Sequence, residues 1–269
     1  MTKGRRIGSY IFLIIASIFS AFPLYWMLAS ATNKSTDVIA GKLIPGTYLL
    51  ENWANLIKAQ KVGLAMWNSF RYSILMTVIS LFVCSLAGYG FEIYHTKGKD
   101  RVMAVVLLAM MVPFAATMIP LFQMFSSAGL LNTAAGFILP TISTPFLIMM
   151  FRQSARSFPH EMIDAARVDG LNEFQIFLQM FFPTMKSTYA AAMTITFMNA
   201  WNSYLWPKII MTNGKSLTMP MLIANLKAGY VTDYGSLMLG VTLCSLPTII
   251  VFFLLQKNFA NGITGAVKG

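Results

Sequence analysis

The sequence predicts an all-α integral membrane protein with six membrane-spanning helices. Three observations carry this. The chain is 57% hydrophobic and only 11% charged, whereas ordinary soluble domains are about 25% charged. Six apolar runs, near 8–31, 72–91, 102–124, 134–151, 187–210 and 237–256, reach the roughly 17–25 residues that a helix needs to cross a bilayer. The runs are built from Leu, Ile, Phe, Met and Ala without alternation, which argues for helices rather than the strands of an outer-membrane barrel.

Taken in order, the first run follows Lys3, Arg5 and Arg6, and Ala29-Ser30-Ala31 has the outline of a signal-peptide cleavage site. The run also contains Pro23, Tyr25 and Trp26 and is longer than the roughly 7–15 apolar residues of a signal peptide. An uncleaved first span is therefore expected. Segment 32–71 is the longest outer loop. In it, Pro45-Gly46 marks a turn, and Glu51, Trp53, Leu56, Ile57 and Gln60 follow helical spacing, which predicts a short amphipathic helix on the membrane surface. The basic loop HTKGKDR, 95–101, joins two antiparallel neighbours. Pro113, Pro120, Pro140, Pro145 and Pro247 fall within later runs, where each removes a backbone donor and bends or interrupts a helix.

The charges set orientation and exclude functions. With the N-terminus inside, the inner segments hold Lys3, Arg5, Arg6, Lys97, Lys99, Arg101, Arg152, Arg156, Arg167, Lys186, Lys257 and Lys268 out of 20 Lys and Arg. Loop 125–133 has none, so both termini are expected to be cytoplasmic. By these boundaries only Lys208 lies within a span, near its end. The lack of intramembrane acids speaks against a proton- or ion-coupled secondary carrier, which is the alternative transport reading. The acids outside 160–183 are scattered (Asp37, Glu51, Glu92, Asp100, Asp233) and suggest no catalytic group. Cys84 and Cys244 lie within spans and read as buried thiols. Two His residues in loops make no metal site. No interleaving of basic and aromatic residues points to nucleic acid.

Segment 160–183, HEMIDAARVDGLNEFQIFLQMFFP, gathers four of the nine carboxylates: Glu161, Asp164, Asp169 and Glu173. Ser157 is a potential helix cap, Pro159 suits the first turn, Glu161 suits the positive end, and Gly170 suits the left-handed position past the last turn. The result is a helix too short to span. Met162, Ala165, Ala166 and Asp169 share a face that the two alanines keep flat, which lets another backbone approach. A plain surface helix between two spans is the competing reading.

The order of these residues decides between them. Asp164-Ala165-Ala166-x-x-Asp169-Gly170, followed by Phe177 and Pro183, resembles the EAA motif of bacterial ABC importer permeases, with Asp164 where Glu is usual. Trp67-Asn68-Ser69, Gly129-Leu130-Leu131-Asn132-Thr133, Trp201-Asn202 with Trp206-Pro207, and the end from Asn261 to Gly269 are similar to segments of the same family. They are most like the shorter, G-type permease subunit of maltose-type carbohydrate importers. The resemblance implies a MetI-like core and a bacterial inner-membrane location. It divides the chain into a first helix with its outer loop (1–71), the core with a coupling helix at 159–170 (72–256), and a cytoplasmic tail (257–269).

The same resemblance implies partners and roles. A second homologous permease shares the path, an outside sugar-binding protein delivers substrate, and lipid surrounds the spans. A cytoplasmic ATPase homodimer binds ATP and Mg, with no cofactor in this chain. Ala165 and Ala166 are expected against the ATPase cleft, with Glu161, Asp164 and Asp169 supplying polar contacts and Gly170 the sharp exit. The 262–269 tail, with three glycines and one charge, is expected to reach toward the ATPase dimer interface, with a frayed terminus as the competing reading. For the substrate path, Asn199, Trp201, Asn202 and Tyr204 offer the amides, hydroxyl and rings that bind sugars, although helix-to-helix bonding of the Asn residues and an interfacial belt of the aromatics are the favoured reading of the residues alone. Asn213-Gly214-Lys215-Ser216 contains the GKS of a P-loop, but Ile209 stands where its first Gly belongs. No part of the chain is expected to hydrolyse ATP or catalyse another reaction.

Overall fold

The computed structural model describes the backbone of residues 3–229 and 231–267 and the side chains of 6–229 and 231–256. The Lys3 and Arg5 side chains and the tail's side chains, Lys268 included, therefore lie outside the described residues. Helices α1 (Lys3–Ala31), α2 (Ser35–Ile39), α3 (Leu49–Ala59) and α4 (Val62–Ile93) come first. They are followed by α5 (Lys97–Ala109), α6 (Phe114–Ser127), α7 (Ala134–Ile138, tightening into 3₁₀ turns to Thr141) and α8 (Pro145–Ala155). Next come α9 (His160–Val168), α10 (Glu173–Ile176), a widened π turn over Phe177–Phe181, and α11 (Phe182–Thr184). Last are α12 (Lys186–Trp201), α13 (Leu205–Ile210), α14 (Met219–Lys227) and α15 (Tyr234–Val267). There is no strand among the described residues.

The six apolar windows do not become six unbroken helices. Among the described residues, three helical stretches are by length and composition able to cross a membrane: Arg6–Ala31, Val62–Ile93 and Tyr234–Gln256. The third window is bent by 98° between α5 and α6, and the fourth by 57° between α7 and α8. Proline causes both breaks. Pro113 is extended (φ −60, ψ 132) just before α6, and Pro145 opens α8 after an extended Thr144. A residue that precedes proline is pushed out of the helical region. The fifth window ends as helix at Trp201 and resumes at Leu205. At 16 residues, α12 rises only about 24 Å. The last helix runs past the expected end near 256 to Val267.

The chain divides into two compact units, with boundaries inside α4, at the start of α14 and inside α15. The first holds the chain up to Met66 and Met219–Pro247. Buried amides organise it. Asn33 Nδ2 donates to the carbonyls of Ala29 (2.9 Å) and Ile44 (3.0 Å). Asn52 Nδ2 donates to those of Ala31 and Asn33, each at 2.9 Å. Asp233 caps α15 by accepting from the Gly235 and Ser236 N–H groups and the Ser236 hydroxyl. Ala29, Ser30 and Ala31, the residues with a cleavage-site outline, are buried here.

The second unit, Trp67–Thr218 and the chain from Thr248, holds a continuous buried core. Leu81, Cys84, Tyr89, Leu147, Phe151, Phe158, Phe181 and Ala191 are among its members. Both cysteines are buried and neither forms a disulfide. The close approach of α4 to α8 depends on Gly88, where a Cβ would lie 2.6 Å from Phe151 Cβ and 2.7 Å from the Arg152 nitrogen. Gly90, two residues on, has open space. Gly88→Ala is therefore expected to cost about 1–3 kcal/mol through overpacking, while Gly90→Ala, in open space within the same helix, is expected to raise stability by up to about 1 kcal/mol. Thermal unfolding of the two purified variants in one detergent checks this.

Candidate functional site

The segment between α8 and α12 is built outward from a buried aromatic stack. Phe177 and Phe181 lie one above the other, 5.6 Å between centroids. Tyr89 of α4 meets them edge-on at 5.5 and 4.9 Å, and Phe158 meets Phe181 at 5.7 Å. Ile163 and Ala166 of α9 are 1% and 2% exposed and join this core with Ile176. The π turn carries Phe177 and Phe181. It lies just upstream of Pro183, whose missing N–H and ring disturb the regular ladder.

This packing corrects the face expected of α9. Ala166 is buried in the chain's own core, because it pairs at i, i+3 with Ile163 on the inward side. Of the two alanines only Ala165 is exposed, alongside Glu161, Asp164, Arg167 and Asp169. Val168 is 87% exposed and was missed in the sequence. The signal for it is positional, since five residues after Ile163 the 3.6-residue period has turned to the far side. Ser157 does not cap α9. Its hydroxyl donates back to the Ser154 carbonyl at 2.7 Å, and Pro159 precedes α9 with no side-chain cap.

The exit from α9 follows the expected geometry. Gly170 has φ +84. The Gly170 N–H donates to the Arg167 carbonyl (3.1 Å) and the Leu171 N–H to that of Ala166 (3.0 Å), the bond pair of a Schellman stop. A Cβ on Gly170 would meet nothing within 4 Å, so the requirement for glycine here is conformational and not steric. Asn172 then opens α10 with a reciprocal capping box to Gln175.

Charge fixes the two ends of the segment. Arg167 donates to Glu173 at 2.8 Å and to Asp164 at 3.2 Å, so Asp164 is held on its own helix. Glu92 and Asp100, which look scattered in the sequence, converge on Arg152. This side chain is 4% exposed and donates to Glu92 at 3.0 Å and to Asp100. Arg156 adds a 3.3 Å contact to Glu92, and His95 a 2.9 Å contact to Asp100. The cluster ties the end of α4 and the start of α5 to the end of α8. Every acid in it is engaged by a cation, which is an arrangement for holding helices and not for acid–base chemistry.

The substrate-path residues divide differently from the expectation. Asn199, Asn202 and Tyr204 line a cavity of about 630 Å³, together with Thr196, Ser203 and Trp206. Thr196 Oγ1 is buried with no partner among the described residues. Trp201 does not line the cavity. It is 1% exposed, edge-on to Phe70 at 4.8 Å and stacked on Phe197 at 5.8 Å, and it serves as packing. Trp206 was not among the expected path residues, and its ring nitrogen donates to the Gly136 carbonyl at 2.8 Å. The GKS segment is a turn: Asn213 Oδ1 accepts from the Lys215 and Ser216 N–H groups, and Asn68 donates to the Lys215 and Leu217 carbonyls.

A pH dependence follows from the paired acids. The Arg167 guanidinium holds the Glu173 carboxyl below its ordinary 4.5, and Arg152 holds Asp100 below 3.8. A lowered carboxylate pKa stabilises the fold above the unfolded value, and the gain is lost as pH falls through the folded value. Thermal stability is therefore expected to be flat in this respect from pH 8 to 6 and to fall below about 4.5. Glu173→Gln should be slightly less stable at pH 7 and lose less below 4.5. Unfolding curves against pH measure both.

Three comparisons bear on what this arrangement belongs to. The family model described as binding-protein-dependent transport system inner membrane component matches residues 94–265. The lactose transport system permease protein LacG of Rhizobium radiobacter is 45% identical over 272 residues, covering 100% of each chain. The arabinooligosaccharides transport system permease protein AraQ of Bacillus subtilis is 33% identical, covering 98% of this chain and 96% of its own. In fold, the chain superposes with a TM-score of 0.84 on a chain of a bacterial ABC transporter involved in the import of the acidic polysaccharide alginate. The identity there is 19%, with 96% of this chain and 99% of that one covered. A family match over most of the core, two full-length relatives and a shared fold together place the chain: it belongs to the binding-protein-dependent transport system inner membrane components, the permeases of ABC importers.

Proposed function

We propose that this chain is one of two permeases in an ATP-driven importer of sugars, with di- or oligosaccharides as the substrate class. A second, homologous permease completes the path, and an extracytoplasmic sugar-binding protein supplies substrate. Two copies of a cytoplasmic ATPase, holding ATP and Mg, supply energy. Both termini are cytoplasmic in the inner membrane. The relatives that transport lactose and arabinooligosaccharides support the substrate class.

One observation carries the coupling role. A short helix, α9, is pinned from beneath by Ile163 and Ala166 and leaves Glu161, Ala165, Val168 and Asp169 outward. A partner that grips Ala165 and Val168 and pairs with the flanking acids moves the whole aromatic stack, because the buried residues leave little slack. ATP binding closes the ATPase dimer and favours one arrangement of the spans by differential affinity. The cavity at Asn199, Asn202 and Tyr204 offers amides, a hydroxyl and rings to a saccharide, with Thr196 as a further hydrogen-bonding group.

Gly170 tests the coupling reading. A residue with a Cβ loses about 1–2 kcal/mol in the left-handed conformation, Asn least among them. Gly170→Val is expected to abolish uptake while the chain remains in the membrane, and Gly170→Asn to retain most of it. Radiolabelled sugar uptake with membrane immunoblots reads this, and normal uptake in Gly170→Val would remove the coupling role. For the path, Asn199→Leu is expected to cut uptake at least tenfold with the assembled complex intact. Unchanged uptake would remove Asn199 from it.

A further inference from the structure

The outer helix α3 has three faces, and only two are explained by the fold. Asn52 and Leu56, 3% and 0% exposed, turn into the first unit. Glu51, Asn55 and Lys58 form a polar face, with Asn55 reaching Asp233 at 3.4 Å. The third face, at the 3.6-residue period, carries Leu50, Trp53 and Ile57, which are 80%, 42% and 51% exposed. It is apolar, contains an amphipathic ring, and is left uncovered by the described residues.

Its height relative to α1 says what covers it. The apolar stretch Arg6–Ala31 has 26 residues and so rises about 39 Å. That exceeds the roughly 30 Å hydrocarbon core and falls just short of the 40–45 Å that includes headgroups. The Ala31 end therefore sits at headgroup level. Asn52 of α3 is hydrogen-bonded to the Ala31 carbonyl at 2.9 Å, which puts α3 at that same level. A second tie lies deeper. Tyr25, about 9 Å short of the Ala31 end by the same rise, donates to the Leu43 carbonyl at 2.9 Å. Leu43 and its neighbour Ile44 are 46% and 71% exposed. The apolar surface is thus continuous from the exposed sides of α1 through residues 43–44 to α3. Lys34, Lys58 and Lys61 stand exposed in the same segment, suited to phosphate headgroups.

We propose that α3 is an interfacial helix, seated in the headgroup and acyl boundary of the bilayer through Leu50, Trp53 and Ile57, with Leu43 and Ile44 dipping beneath it. The occupant of this face is phospholipid, not the partner permease or the binding protein. Anchored this way, α3 fixes the height of the outer end of α15, because the Ser236 hydroxyl donates to the Asn52 carbonyl at 3.2 Å and Asp233 caps the helix from the same cluster.

Spin labels test the placement. Leu50→Cys, Ile57→Cys and Glu51→Cys are each introduced into the full chain, assembled with its partners and placed in nanodiscs of phosphatidylethanolamine and phosphatidylglycerol. The positions are exposed, so labelling leaves packing intact, and the unsubstituted chain, with Cys84 and Cys244 buried, gives the background. Collision with oxygen should exceed collision with a water-soluble nickel chelate several-fold at 50 and 57, with the order reversed at 51. Nickel dominance at 50 and 57 would place the face in water and overturn the proposal. Exclusion of both probes there would show a protein partner on the face and would overturn it equally.

Discussion

The fold of the functional segment rests on one packing constraint: Phe158, Phe177, Phe181 and Tyr89 fill the space beneath α9, and Ile163 and Ala166 close it. Close-packed interiors have few alternative arrangements, so the proposed coupling role requires that a displacement of α9 pass to α4 through these ring contacts. Burying Ile163 alone is worth about 2–5 kcal/mol against alanine, which is ample to keep a nine-residue helix formed that is too short to be stable in isolation. The helix exists because of what lies under it.

A second restraint works at the neighbouring helix ends. Arg152 is nearly fully buried, and a buried guanidinium left unpaired is costly, so Glu92 and Asp100 are obliged to stay with it. The three helices that meet at this cluster are thereby fixed together beside the segment that α9 closes. Breaks elsewhere contrast with this rigidity. Pro113, Pro145 and the Asn202–Tyr204 interruption divide three of the apolar windows, and freed backbone at such breaks is tolerated where neighbouring protein or water satisfies it. The cavity lined by Asn202 and Tyr204 lies at one of them.

Much of this was legible in the chain itself. The length and composition of the apolar runs were enough for an all-α membrane protein, and Pro159, Glu161 and Gly170 were enough for the short helix and its left-handed stop, although Ser157 does not cap it. What the sequence hid is three-dimensional. Prolines announce interruptions but not their angle, since 98° at Pro113 and 57° at Pro145 depend on what each half packs against. Ala165 and Ala166 look equivalent in a string of small residues, and only the core beneath tells that one faces in. Trp201 and Tyr204 both suit a sugar path by chemistry, yet Phe70 and Phe197 claim the tryptophan. Arg152 lies 60 residues from Glu92 and 52 from Asp100 in sequence, and no spacing rule joins it to them.

The most direct test of an ATPase-coupled permease is to purify the tagged chain from its native host in mild detergent and identify every co-purifying protein by mass. A stoichiometric P-loop ATPase together with a second permease is the expected result. Recovery of the chain alone, or as a homo-oligomer under conditions that preserve known complexes, would contradict the coupling role of α9.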